Sequence, residues 1–197
     1  MGLSIHYKGN FKKEASLQEM IEEVKDIAEI YTWEYTIYET AFPQNSFTEE
    51  EYDGCLYGIS FTPAKCETIS LTFLSNGKMC SNSALACFGN SNNEKYKQYL
   101  YLLSTKTQFA GSTTHKIILH LLKYISQKYL NYFELSDEGN YWETESEAIL
   151  EQNFKIYNDA LNSFEISIKS HPINNNESFT EYFDRIIKTL NSKRSKK

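Results

Sequence analysis

Leu56-Tyr57-Gly58-Ile59-Ser60-Phe61-Thr62 and Thr68-Ile69-Ser70-Leu71-Thr72-Phe73-Leu74 decide the fold, with Pro63-Ala64-Lys65-Cys66-Glu67 between them. Both runs have strand length and strand composition, and the link is too short for a helical crossover. Asn76-Gly77 follows as a tight-turn signal, with room for a short strand at Lys78 to Cys80. Strands in succession through short turns pair antiparallel and leave one face for helices.

Working outward, Leu3 to Tyr7 alternates as a strand that Gly9-Asn10 is expected to break. Ser16-Leu17-Gln18-Glu19 is a capping box. The helix after it carries Leu17, Met20, Ile21, Val24, Ile27, Ala28 and Tyr31 as one apolar stripe. Trp33 to Tyr38 reads as a strand, and Phe42 to Asp53 as a loop. Ser81 to Lys97 has no clear period, and Asn90-Ser91-Asn92-Asn93 within it reads as a loop tip. Tyr99 to Phe109 has strand character. Ser112-Thr113-Thr114 then caps a helix to about Lys128, and Tyr132 to Leu135 is a short strand. Thr144-Glu145-Ser146-Glu147 is a second capping box, and Ser178 with Glu181 a third.

The expected fold is a two-layer α+β domain over 1–170, a mostly antiparallel sheet with helices on one face. The element order is similar to a TATA-binding-protein-like half, an analogy of fold alone. Residues 171–197 are expected to form a linker and an amphipathic helix with a basic tail, a candidate surface for a homodimer.

The chain has 197 residues and a formal net charge of -6, which disfavours a generic nucleic-acid binder. No apolar run reaches membrane-spanning length, and a cytoplasmic location is the expectation. Cys55, Cys66, Cys80 and Cys87 form no CxxC pair and read as reduced thiols. No cofactor or metal is expected. The charge is uneven: Tyr129 to Asn153 holds seven carboxylates and no Lys or Arg, whereas Arg185 to Lys197 holds six basic residues and no acid.

Two segments carry candidate chemistry. In the first, Lys106, Gln108, Ser112 and His115 surround a helix start at 111–115. Free N–H groups, hydroxyls and nearby charge are the parts of an anion site, and His115 is the candidate acid/base. The alternative is an ordinary helix cap. In the second, Asp137-Glu138-Gly139-Asn140-Tyr141-Trp142-Glu143-Thr144 packs carboxylates and aromatics together. Asp137, Glu138, Tyr141, Trp142 and Glu143 read either as a binding surface or as a turn and an acidic helix start. His115 with Cys66 or Cys80 is a further conceivable nucleophile pair.

Gly2-Leu3-Ser4-Ile5-His6-Tyr7, Lys106-Thr107-Gln108-Phe109-Ala110-Gly111 and the 137–144 segment together resemble a family of bacterial proteins, a domain of unknown function. The resemblance covers roughly Gly2 to Phe164. It assigns no catalytic residue, but implies that the three segments belong together. The leading expectation is a binding or adaptor protein using the aromatic-acidic surface. The alternative is an enzyme on a small anionic or phosphorylated substrate.

Overall fold

The computed structural model describes residues 2–47, 52–91 and 93–194. The chain is α+β, and it divides into two units, Met1–Leu150 and Glu151–Lys197.

In the first unit the strands form two antiparallel sheets of three, where the sequence suggested one. Strand β1 (Ser4–Phe11) lies between β5 (Leu103–Lys106) and β6 (Leu130–Asp137). Strand β3 (Tyr57–Thr62) lies between β2 (Glu34–Ile37) and β4 (Ile69–Phe73). Gly9-Asn10 does not end β1. A Cβ at Gly9 would stand 2.8 Å from the Tyr132 carbonyl oxygen and 3.2 Å from the Met79 sulfur. Glycine serves close approach there, and the strand runs on to a register shift at Asn10/Phe11.

Residues 78–80 tie the two sheets together by isolated bridges, Asn10 with Lys78 and Phe73 with Met79. The Met79 N–H donates to the Gly9 carbonyl at 2.9 Å and the Cys80 N–H to that of Thr72 at 3.0 Å. A second tie is a side chain: the Tyr7 hydroxyl accepts from the Ser70 N–H at 2.9 Å and donates to the Ser70 carbonyl at 3.2 Å. Burial pushes the Tyr7 phenol up to about 12, so it remains a donor at neutral pH.

Helix α1 (Leu17–Ile30) starts where Ser16 Oγ accepts from the Glu19 N–H. Its buried stripe of Leu17, Met20, Ile21, Val24 and Ala28 packs on β3. Trp33 then stacks between Tyr31 and Phe61, fixing the turn into β2. The region without a clear period contains helix α2 (Asn82–Phe88), capped by Ser81, and the single turn α3 (Glu94–Lys97), capped by Asn93. Of Tyr99 to Phe109 only β5 is strand, because 3-10 turns at Gln98–Tyr101 and Gln108–Ala110 flank it.

Helix α4 (Gly111–Tyr129) buries Ile118, Leu119, Leu121, Leu122 and Ile125. Its start differs from the expected hydroxyl cap. Ala110 holds the cap position without a side-chain bond, Gly111 enters at φ +86°, and Ser112 already lies in the first turn. After β6 comes the short α5 (Tyr141–Thr144), then α6 (Glu147–Ser170). Ser146, not Thr144, accepts from the Ile149 N–H at the start of α6.

The second unit holds most of α6 and α7 (Phe179–Arg194). Phe164 stacks on Phe183, and Arg185 pairs with both Glu177 carboxylate oxygens at 2.7 Å. The expected capping box is present: Ser178 Oγ accepts from the Glu181 N–H, and Glu181 accepts from the Ser178 N–H. Among the described residues no helix is long and apolar enough to cross a membrane.

Candidate functional site

The helix start and the acidic segment do meet, but inside the protein. His115 Nδ1 lies 2.6 Å from Thr107 Oγ1, and His115 Nε2 lies 2.9 Å from Asp137 Oδ1. The hydroxyl-imidazole-carboxylate order matches that of a nucleophilic triad. Exposure separates it from one: Thr107 and His115 are 0% exposed and Asp137 is 3%. The Thr107 hydroxyl is also 3.3 Å from the Leu3 carbonyl oxygen, a second partner, on the backbone, that holds it inside.

Asp137 closes a turn with its two oxygens. Oδ1 accepts from the Gly139 N–H at 2.7 Å, and Oδ2 from the N–H groups of Tyr141 at 2.7 Å and Trp142 at 3.1 Å. Burial pushes this carboxyl up, but the His115 contact and the N–H donors outweigh it and hold it below the ordinary value. A Cβ at Gly139 would stand 2.9 Å from His115 Nε2 and 3.0 Å from Asp137 Oδ1, so the chain packs directly over the pair.

The remaining candidates of these segments scatter. Lys106 places Nζ 5.1 Å over the Phe109 ring. Gln108 is buried, and neither atom of its amide has a partner among the described residues. Tyr141 is buried with its hydroxyl 3.1 Å from His120 Nε2. Trp142 meets Phe133 edge-on. Glu138 is exposed, and its Oε2 accepts from the Ser4 N–H at 2.8 Å. Glu143 is exposed, with its Oε1 3.5 Å from the Asp137 nitrogen. Among the described residues no three His, Cys, Asp or Glu side chains converge on a metal position. Burial pushes the Cys66 and Cys80 thiols up to about 12, which removes the thiolate a nucleophile pair requires.

A large concave surface lies elsewhere, a cleft of about 810 Å³ beside the sheet of β2, β3 and β4. That sheet has two unlike faces. Ile59 and Phe61 of β3 and Ile69 and Leu71 of β4 are buried in the core. On the opposite face, Thr36, Ser60 and Ser70 stand in one cross-strand row, and Glu34 and Thr62 stand opposite each other in the next. Thr62 and Thr68 share a hydrogen bond of 2.9 Å. Ser104 and Thr105 of β5 and Ser81 and Ser83 at the start of α2 add further walls. Twelve of the seventeen lining residues carry a hydroxyl, two are Glu, and none is Lys, Arg or His.

Ser60 and Ser70 are 5% and 8% exposed. Neither hydroxyl makes a hydrogen bond to another described residue, although both line the cleft. Neither hydroxyl is sealed from solvent, so both are available at the surface of the cleft. The sequence signal for this face was the other half of the strand alternation: Ser60 and Thr62, then Thr68, Ser70 and Thr72, fall between the apolar residues. A comparison of the chain with family models, curated proteins and solved structures finds no match.

Proposed function

We propose that the protein is a binding protein whose site is the cleft beside β2, β3 and β4, and whose ligand is polar and not anionic. The observation that carries this reading is the pair of deep, uncommitted hydroxyls of Ser60 and Ser70 in a hydroxyl-rich cleft bordered by carboxylates, with no basic side chain in the lining. Hydroxyls donate and accept with equal ease, so they suit a ligand rich in both kinds of group. An anion would meet Glu34 and Glu67 without a compensating cation. The binding class expected from the sequence is retained, and its site moves away from 137–144. The enzyme alternative required His115 to touch a substrate, and His115 is sealed.

The test is calorimetric titration with neutral oligosaccharides, polyols and amines against inorganic phosphate and citrate. A neutral or cationic polar compound is expected to bind and the anions are not. Ser60→Ala with Ser70→Ala removes two hydroxyls without adding bulk. It should weaken binding by roughly 5- to 150-fold, the worth of two hydrogen bonds at ~0.5–1.5 kcal/mol each. Tight phosphate binding, affinity indifferent to the double substitution, or no binding across the panel would each count against the cleft.

A partner reading rests on a separate observation. On α7, Phe179, Phe183 and Ile187 follow one another at four-residue spacing and are 75%, 40% and 49% exposed. Such a stripe suits a second copy of the chain. Sedimentation should report a dimer that Phe179→Ser with Ile187→Ser converts to monomer. A wild-type protein monomeric at high micromolar concentration removes this reading.

A further inference from the structure

The cleft's two carboxylates define its ligand more closely, an inference that rests on the binding reading above. Glu34 lies on β2, and Glu67 stands just before β4, beside Thr68. Two strand spacings of ~4.8 Å separate the β2 and β4 backbones, with Thr62 and Thr68 between the two glutamates and the Thr36–Ser60–Ser70 row alongside. Several other carboxylates of this unit have cationic partners, among them Glu134 with Lys8, Glu147 with Lys116, Glu145 with Lys123 and Glu23 with Lys128. Among the described residues Glu34 and Glu67 have no Lys, Arg or His ion-pair partner, and the cleft supplies none. Glu67 Oε2 is oriented by the Lys106 N–H at 2.8 Å, which fixes the carboxylate and leaves its charge uncompensated.

We infer that the ligand is an amino sugar oligomer, with protonated amines at Glu34 and Glu67 and its hydroxyls on the adjoining floor. Each part of that chemistry has its counterpart. An ammonium offers only donors to a carboxylate, while sugar hydroxyls exchange donor and acceptor roles with Ser60, Ser70, Thr36 and Thr62. A neutral saccharide leaves both carboxylates without cations, and a simple diamine leaves the floor unused.

The probes are a β-1,4-linked glucosamine trisaccharide with free amines, the glucose trisaccharide of the same linkage, and 1,8-diaminooctane. They are titrated calorimetrically into the full chain at pH 6, where the amines are protonated. The aminated sugar is expected to bind at least ~10-fold more tightly than the neutral one, and more weakly as salt rises. In Glu34→Gln with Glu67→Gln the ratio of the two affinities should fall toward one. Glutamine at 67 keeps an oxygen for the Lys106 N–H, and circular dichroism verifies the fold. Equal affinity of the two sugars in the wild type overturns the amine inference and leaves the binding reading standing. Failure of both sugars to bind overturns the amino sugar inference, and the binding reading falls with it only if diaminooctane and the polyols and amines above fail to bind as well. Diaminooctane binding as tightly as the aminated sugar, with no loss in the Ser60→Ala, Ser70→Ala variant, overturns the sugar assignment.

Discussion

Asp137→Ala is expected to lower the unfolding free energy of the first unit by about 3–5 kcal/mol. The substitution removes three backbone hydrogen bonds at once and leaves His115 beside an empty space in the interior. Buried hydrogen-bonding groups left without a partner keep their desolvation penalty, about 1–3 kcal/mol each, which gives the total its size. For a chain of this length it corresponds to a fall in melting temperature of roughly 6–20 °C, measured by calorimetry. A fall under ~2 °C would mean that the turn at 137–142 holds without its carboxylate. The effect also carries a pH signature. The folded Asp137 carboxyl lies below its ordinary 3.8, so its contribution is complete above that value. It is lost as pH drops through the folded value. The contribution of the carboxylate to the stability gap between wild type and Asp137→Asn should therefore shrink as the solution is made more acid than that value. A gap that widens in acid would have the wrong sign.

Gly58→Ala should be comparably damaging for a different reason. Gly58 sits in β3, the central strand of its sheet, at φ +120°, a conformation that residues with a Cβ rarely adopt. A Cβ there would stand 2.3 Å from the Leu71 carbonyl oxygen, so a backbone group rather than a side-chain tip must move. Strain and clash together should cost roughly 2–5 kcal/mol. The expected readouts are a lower urea midpoint and loss of amide protection along β3 and β4. An unchanged midpoint would show that the sheet can shift to admit the methyl group. Because the same strand carries Ser60, the substitution should also weaken any ligand held by the cleft floor.

The parts of this fold visible in sequence were those fixed by local chemistry. The Ser16 cap, the α1 stripe, the β3–β4 pair and the Ser178–Glu181 box each depend on residues a few positions apart, and all four are present. What stayed hidden depended on distant partners. Gly9 reads as a breaker until Tyr132 and Met79 are seen against it. The division into two sheets is set by where residues 78–80 bridge, a contact between segments nearly seventy residues apart. The 137–144 segment and His115 were read as parts that could meet, and the structure joins them through Asp137. The depth of that cluster was not legible, since an acidic, aromatic octapeptide has the same composition inside or outside. The cleft was missed because its serines and threonines read as the polar half of an alternating strand, the half expected to face water.

The Tyr7 hydroxyl, bonded to both backbone groups of Ser70, stands where a neighbouring strand would otherwise pair. It acts as a stopper on the β4 side of the sheet. Together with the Thr105 hydroxyl donating to the Thr68 carbonyl at 3.1 Å, it leaves that margin without a row of free groups for another chain to extend. Protection against strand-by-strand growth is therefore one-sided. A phenylalanine at position 7 would keep the bulk and leave the buried Ser70 amide and carbonyl without that hydroxyl.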